Sequence, residues 1–348
     1  MGVLPRRAIR ATSRPSMWLA LALGLDAVIA VLAIGIGRDV SLADLLAAGP
    51  LLACARCNGR TTVLVAGYAL ALCAIVTGAI GASSAGYRFT IVGVAGVLAV
   101  LVAVIRTRRE TALIRISERV QRAILRPLPA ELGGVAFAAH YQSATTQALV
   151  GGDLYDMTMT QFGPRFILGD VKGKGLEAVG RCAAVLAVFR ELVFGEPDLA
   201  RLAEQMDARL SRDMDIEDFV TVILAEFGPG FVRIVNCGHH PPVKLAADAG
   251  GLQLMAPRRY EPPLGLHPHP APQDIALRPH DRLLFYTDGL VETRNRAGCF
   301  FTLDARVATA LAAPDLDSAV RGVVKLLLDH AGHALTDDVL LVVGEQAP

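Results

Sequence analysis

The sequence predicts an α+β chain in two parts, a helical transmembrane domain followed by antiparallel sheets covered by helices. Three observations carry that expectation. The chain is 53% hydrophobic and only 19% charged, and the apolar excess falls before residue 106, where residues 17–105 contain neither Lys nor Glu. Such a composition suits lipid rather than water. Beyond it, strand-like runs cluster in hairpins instead of alternating with helices, which favours α+β over a doubly wound parallel sheet. Finally, Asp153, Asp170, Asp288 and Asp337 each sit in a Gly-flanked or strand-end context beside an apolar run. A sheet brings such residues together from distant parts of a chain, and hard carboxylate oxygens in a group suit Mg²⁺ or Mn²⁺.

Taking the elements in order, a membrane span needs about 20 mostly apolar residues, which residues 17–36, 61–81 and 89–105 supply or nearly supply. A fourth segment, 42–55, is shorter and contains Pro50. Arg6, Arg7, Arg10 and Arg14 precede the first segment, and Arg106, Arg108 and Arg109 follow the last. The positive-inside rule then puts both ends in the cytoplasm and requires an even number of crossings. Counting the short segment gives four; the alternative is a two-span hairpin with re-entrant segments. The first run is too long for a signal-peptide core and lacks a small-x-small cleavage site, so it reads as a retained anchor. Asp26 inside it is either functional or a carboxylate packed against other helices.

Residues 106–129 form a linker in which Leu113, Ile116, Val120 and Ile124 recur at helical spacing before Pro127 and Pro129. The expected element is a short amphipathic helix. Its stripe suits either a second copy, giving a homodimer, or the chain's own domain. The chain thus divides into 1–105, 106–129 and 130–348. In the last part, strands are expected at 135–141, 165–168, 219–227, 231–236, 282–286 and 339–343, with Gly228-Pro229-Gly230 as a hairpin turn. Helices are expected at 176–194, 199–214, 303–311 and 316–330.

Several function classes fall away on composition and spacing. A formal net charge of +1 gives no argument for nucleic acid. Cys54-x-x-Cys57 is half a zinc motif without its second half, and the other four of the six cysteines have no paired spacing. GDVKGKG lacks the spacing and the Ser/Thr of a nucleotide-binding phosphate loop. Its glycines read instead as a sharp turn from strand to helix.

The ordered set GGDLYD, GDVKGKG, FVTVILAEF, NCGHHPP, PPLGL, LLFYTDGLVE and DDVLLVV resembles the metal-dependent serine/threonine protein phosphatases of type 2C, and more closely their bacterial SpoIIE-like branch, over residues 123–343. The resemblance implies a β-sandwich flanked by helices, with two divalent cations, Mn²⁺ or Mg²⁺, at one edge. Positions matching the family's ligands are Asp153, Asp170, Asp288 and Asp337, with the backbone carbonyl of Val171; Asp338 is the adjacent alternative to Asp337. The implied chemistry is hydrolysis of phosphoserine or phosphothreonine by water activated between two metals. The implied substrate is a phosphorylated cytoplasmic regulatory protein such as an anti-sigma-factor antagonist, acted on by an enzyme fixed in the lipid bilayer of the cell membrane. A regulated docking module without catalysis is the alternative.

Gly152, Gly173 and Gly289 flank the matched positions, and Asn236 with His239 matches a structural turn near the site. Asp156 is expected to be a supporting or surface residue. Lys172 departs from the branch's usual small Ser. It reads either as a contact to substrate phosphate or as an exposed basic residue beside the site.

Overall fold

The computed structural model describes residues 15–36, 42–80, 85–142, 151–212, 218–248, 251–332, 335 and 337–347. The basic residues before Pro15 and the Arg38–Asp39 pair lie outside them. The chain divides into two compact units that meet between Leu113 and Ile114.

The helical unit holds α1 (Pro15–Ile36), a 3-10 turn (Ala43–Ala47), α2 (Ala48–Arg56), α3 (Gly59–Ile80) and the first part of α4 (Ala85–Ile124). Three of these contain stretches long and apolar enough to cross a membrane, Ser16–Ile36, Gly59–Ala79 and Gly86–Ile114. Their interior is made of small side chains, with Ala22, Ala30, Ala33, Ala53 and Ala69 buried, while Val31, Leu64 and Val97 face outward at 70%, 67% and 68% exposure. Large apolar groups outside and small ones inside is the arrangement of helices packed in lipid. Asn58 starts α3 by accepting the Thr61 N–H at 2.9 Å, as an N-cap does.

The linker is helical up to Ile124, before Pro127, and it is not a separate short element, because α4 runs without interruption from the apolar segment. Between residues 106 and 124 there is no Gly or Pro, and Arg, Glu, Ala and Leu are good helix formers, so nothing stops the helix until the Pro127 region. Leu113, Ile116 and Val120 remain exposed on it, whereas Leu125 is buried.

The second unit is a four-layer sandwich. One sheet has the order β1 (Glu131–Leu132), β2 (Val135–Gln142), β11 (Val339–Gln346), β10 (Arg282–Tyr286), β7 (Val243–Leu245), β8 (Leu252–Leu254). The other runs β3 (Asp153–Thr160), β4 (Gly163–Val171), β5 (Val220–Gly228), β6 (Phe231–Cys237), β9 (Gln273–Ala276). Every strand pair is antiparallel. Phe137, Phe166, Leu168, Ile223, Phe285 and Leu340 fill the space between the sheets. α5 (Leu176–Leu192) and α6 (Leu199–Leu210) cover the outer face of the second sheet through Leu186, Phe189 and Met206. α8 (Ala305–Leu311) and α9 (Leu316–Ala331) cover the first through Val307, Val323 and Leu327. One-turn α7 (Asp288–Val291) follows β10.

The expected α+β class is thus observed, with the hairpin turn at Gly230 in left-handed backbone at φ +76°. β1, β3, β7, β8 and β9 are additions that the sequence did not suggest.

Candidate active site

Both sheets end their contributing strands at one edge of the sandwich. Asp153 opens β3 and stands opposite Asp170, near the end of β4. Asp288 opens α7 directly after β10, and Asp337 and Asp338 immediately precede β11. Because β10 pairs with β11 and β3 with β4, two residue pairs from different sheets come to face each other. Asp153 feels the charges of Asp170, Asp338 and Asp288, and Asp170 those of Asp288, Asp337 and Asp338. Five carboxyl groups separated in sequence thus form one electrostatic cluster.

Glycine makes the cluster tight. A Cβ on Gly152 would lie 2.0 Å from the Val171 carbonyl oxygen and 2.8 Å from Asp170 Oδ1, far inside contact distance. Gly289 likewise lies against the backbone of Asp338, where a Cβ would fall 1.8 Å from its carbonyl oxygen. The Val171 N–H donates to the Gly152 carbonyl at 3.0 Å, and the Cys182 thiol donates to the same carbonyl at 3.1 Å. Gly173 and Gly175 have φ of +112° and +88°, the left-handed region that turns β4 sharply into α5.

Burial and mutual repulsion set the protonation of these acids. Burial, then the charge of Asp170, holds the Asp153 carboxyl well above the usual range, against a stabilising hydrogen bond from Thr287. Burial and the neighbouring aspartates push Asp170 up to about 7, with Lys174 opposing them. Asp288 is raised for the same reasons, burial first and then Asp337. Groups that repel and lack solvent are relieved by cations placed among them. The donors are carboxylate oxygens plus the Val171 carbonyl, which fits Mg²⁺ or Mn²⁺ and not a soft metal. Among the described residues, no three acidic, His or Cys side chains are already arranged to hold an ion. Cation binding would therefore draw on the carbonyl and on side-chain rotation.

Supporting residues fall into place around this edge. Thr287, not among the residues expected at the site, donates from Oγ1 to Asp153 Oδ2 at 2.9 Å and accepts from the Leu340 N–H at 3.0 Å. Asn236 closes the turn expected of it, donating to the His239 carbonyl and accepting the His239 N–H, each at 2.9 Å. His239 is buried with Nε2 3.1 Å from the Tyr286 carbonyl and Nδ1 2.9 Å from Thr221 Oγ1. A carbonyl only accepts, so Nε2 carries the proton and Nδ1 accepts from Thr221. Burial, with His240 beside it, lowers the imidazole to about 3, so His239 is a neutral strut and not an acid.

Asp156 is buried and paired with Arg190 at 2.5 Å, and Arg190 also donates to the Ile124 carbonyl at 3.0 Å. This ties the end of α4 to β3 within the sheet unit. Gln121 adds a second tie, 3.5 Å to the Gly151 carbonyl. Lys172 is exposed, its ammonium 5.3 Å from the Phe219 ring centroid. Lys174, also unassigned by sequence, lies 2.6 Å from Asp337 Oδ1. Neither tertiary contact has a local sequence signal; proximity to a Gly-rich turn and to TDG was the only hint.

A family model described as stage II sporulation protein E (SpoIIE) matches residues 163–345. Among solved structures, the RsbU and RsbW domains of Rv1364c from Mycobacterium tuberculosis are 24% identical with a TM-score of 0.54, covering 62% of this chain and 61% of that one. The SiaA-PP2C domain of Pseudomonas aeruginosa is 19% identical with a TM-score of 0.56, covering 70% of this chain and 98% of that one. The PP2C phosphatase domain and regulatory-domain fragment of SpoIIE from Bacillus subtilis is 16% identical with a TM-score of 0.50, covering 61% and 63%. This chain therefore spans less than two thirds of the first and last of these. At such identities the likeness is one of fold.

Proposed function

This chain belongs to the SpoIIE family, and from that premise we propose that it is a membrane-anchored, metal-dependent phosphatase acting on phosphoserine or phosphothreonine of a cytoplasmic regulatory protein. The observation that carries the reading is the convergence of Asp153, Asp170 and Asp288 with the Val171 carbonyl, from both sheets, against a Gly152 that has no room for a side chain. Asp153, Asp170, Val171, Asp288 and Asp337 would hold two divalent cations, with Asp338 buried behind them. When bound, such cations lower the pKa of water and screen phosphoryl oxygens. The chain's own residues do the positioning. Thr287 fixes Asp153, neutral His239 braces the exit of β10 through the Tyr286 carbonyl, and Gly152 admits the Val171 carbonyl. Lys172, exposed at the rim, supplies positive charge for an incoming phosphoprotein. The SpoIIE-like resemblance supports an anti-sigma-factor antagonist as that substrate.

The anchor is read as four segments with both ends cytoplasmic. The 3-10 turn and α2 together reach about 24 Å, close to a hydrocarbon core of about 30 Å. Ala43 and Leu46 pack near Ala30 and Ala33, whereas Ala53 and Cys57 pack near Ala22. The broken segment therefore runs antiparallel to α1 along most of its length, which supports an even number of crossings. The exposed Leu113, Ile116 and Val120 stripe supports pairing with a second copy.

The test is phosphate release from a phosphoserine peptide by the full-length protein in detergent, with and without Mn²⁺, beside Asp170→Ala. Mn²⁺-dependent turnover that falls by at least about a thousandfold in the variant is expected. A folded protein with no turnover under any divalent cation would make it a docking module instead.

A further inference from the structure

Lys174 is a cation built into the carboxylate cluster, and its placement bears on how that cluster takes up metal. Its ammonium sits 2.6 Å from Asp337 Oδ1, an oxygen that also accepts the Asp338 N–H at 3.0 Å. The charges of Asp338 and Asp288 also act on the ammonium. The ammonium's own charge is felt by Asp170. Lys174 stands between Gly173 and Gly175, both in left-handed backbone, so the turn that carries it is also the turn that presents Val171.

A tethered ammonium and a divalent cation are alternatives for the same carboxylate. The ammonium needs no encounter from solution, because the chain already holds it in place. With the two side chains 39% and 45% exposed, solvent screens the pair and keeps it weak enough to be displaced. Asp153, at 2% exposure, forms no ion pair with a basic side chain among the described residues. Resting on the phosphatase reading above, we propose that Lys174 is a built-in competitor for the cation that Asp337 helps to hold. One cation site is thereby weaker than the other and fills only when the metal level is high enough to displace the lysine from Asp337.

The experiment counts bound Mn²⁺ by the electron paramagnetic resonance of the free ion, on full-length protein in zwitterionic nanodiscs that themselves bind little metal. Wild type is expected to show two classes of site. Lys174→Met tightens the weaker class about fivefold, the scale of a half-exposed ion pair, and leaves the tighter class unchanged. Lys174→Arg, which keeps the charge, retains the weak class, and Asp337→Asn loses it. Unchanged or weakened binding in Lys174→Met would overturn the competitor role while leaving two metals and the phosphatase reading in place. A wild type that binds no Mn²⁺ would overturn both.

Discussion

Asp26 in the helical unit and Asp153 in the sheet unit are both sealed from solvent, at 0% and 2% exposure, yet their surroundings differ in kind. Asp26 Oδ1 accepts the Gly49 N–H at 3.0 Å, at the start of α2, and Asp26 Oδ2 has no hydrogen-bond partner among the described residues. Among those residues no basic side chain forms an ion pair with it, and its single donor comes from a neighbouring helix. Asp153 instead shares its pocket with other carboxyls and is fixed by a hydroxyl that bridges two sheets. Asp26 is thus an isolated carboxyl held by one hydrogen bond between helices. Several carboxyls, converging against glycine backbone, form a site that favours cations.

The carboxylate cluster predicts a response to pH in the sheet unit. In the absence of divalent ions, native Asp170 keeps its proton up to about 7, while the opened chain releases it near the ordinary 3.8. Between those values the opened state binds fewer protons, so stability falls as pH rises through this window. The expected loss in the free energy of opening β3 and β4 is on the order of a few kcal/mol. Hydrogen exchange of those strands from pH 4 to 8 in a chelator, corrected for intrinsic rates, measures it. Adding Mn²⁺ should abolish the slope. A flat profile without metal would mean that the carboxyls do not repel as described.

The two glycine cradles sharpen the contrast. A Cβ on Gly152 meets backbone, the Val171 carbonyl at 2.0 Å, whereas one on Gly49 meets the far end of a side chain, Asp26 Oδ2 at 2.0 Å. Backbone must shift in the first case, and a carboxylate must swing or the helices separate in the second. Gly152→Ala is expected to weaken Mn²⁺ binding and to destabilise β3 by about 2–3 kcal/mol. Gly49→Ala should cost about 1–2 kcal/mol in the helical unit with phosphate release unchanged. Hydrogen exchange on full-length protein reads both units at once, and loss of Mn²⁺ binding in Gly49→Ala would break the distinction.

Legibility in the sequence follows the same divide. β5, β6, β10 and β11 were visible because aliphatic runs buried on both faces, such as Val339–Val343, stand out. β3 was not, because DLYDMTMT is polar and alternating only weakly; it is a strand because β4 pairs with it along its whole length, from Asp153 opposite Asp170 to Thr160 opposite Gly163. The aspartates were legible through their motifs, and Asn236 through its turn. Thr287 and Lys174 were not, since the partners of each, Leu340 and Asp153 or Asp337, are brought near only by the pairing of distant strands. The linker helix was legible, but its continuity with the apolar segment before it was not: charge at Arg106–Arg109 marks where lipid ends, and a helix does not have to end there.

The smallest expected effects come from two threonines that use their hydroxyls differently. Thr287 donates to Asp153 and accepts from the Leu340 backbone, so its oxygen joins β11 to the first residue of β3. Thr287→Val keeps the shape but leaves a buried N–H and a buried carboxyl each short of a partner, costing about 1–2 kcal/mol. Phosphate release should fall about tenfold with the fold intact, and Thr287→Ser, which restores the hydroxyl, should recover most of it. Thr77 in α3 donates to the Cys73 carbonyl one turn back at 2.5 Å, an oxygen that the helix already uses. Thr77→Val removes no partner that another group depends on, and its cost should stay below about 0.5 kcal/mol. If both substitutions were equally mild, Thr287 would only be satisfying its own hydroxyl. Asp153 would then depend on burial and on its carboxylate neighbours alone.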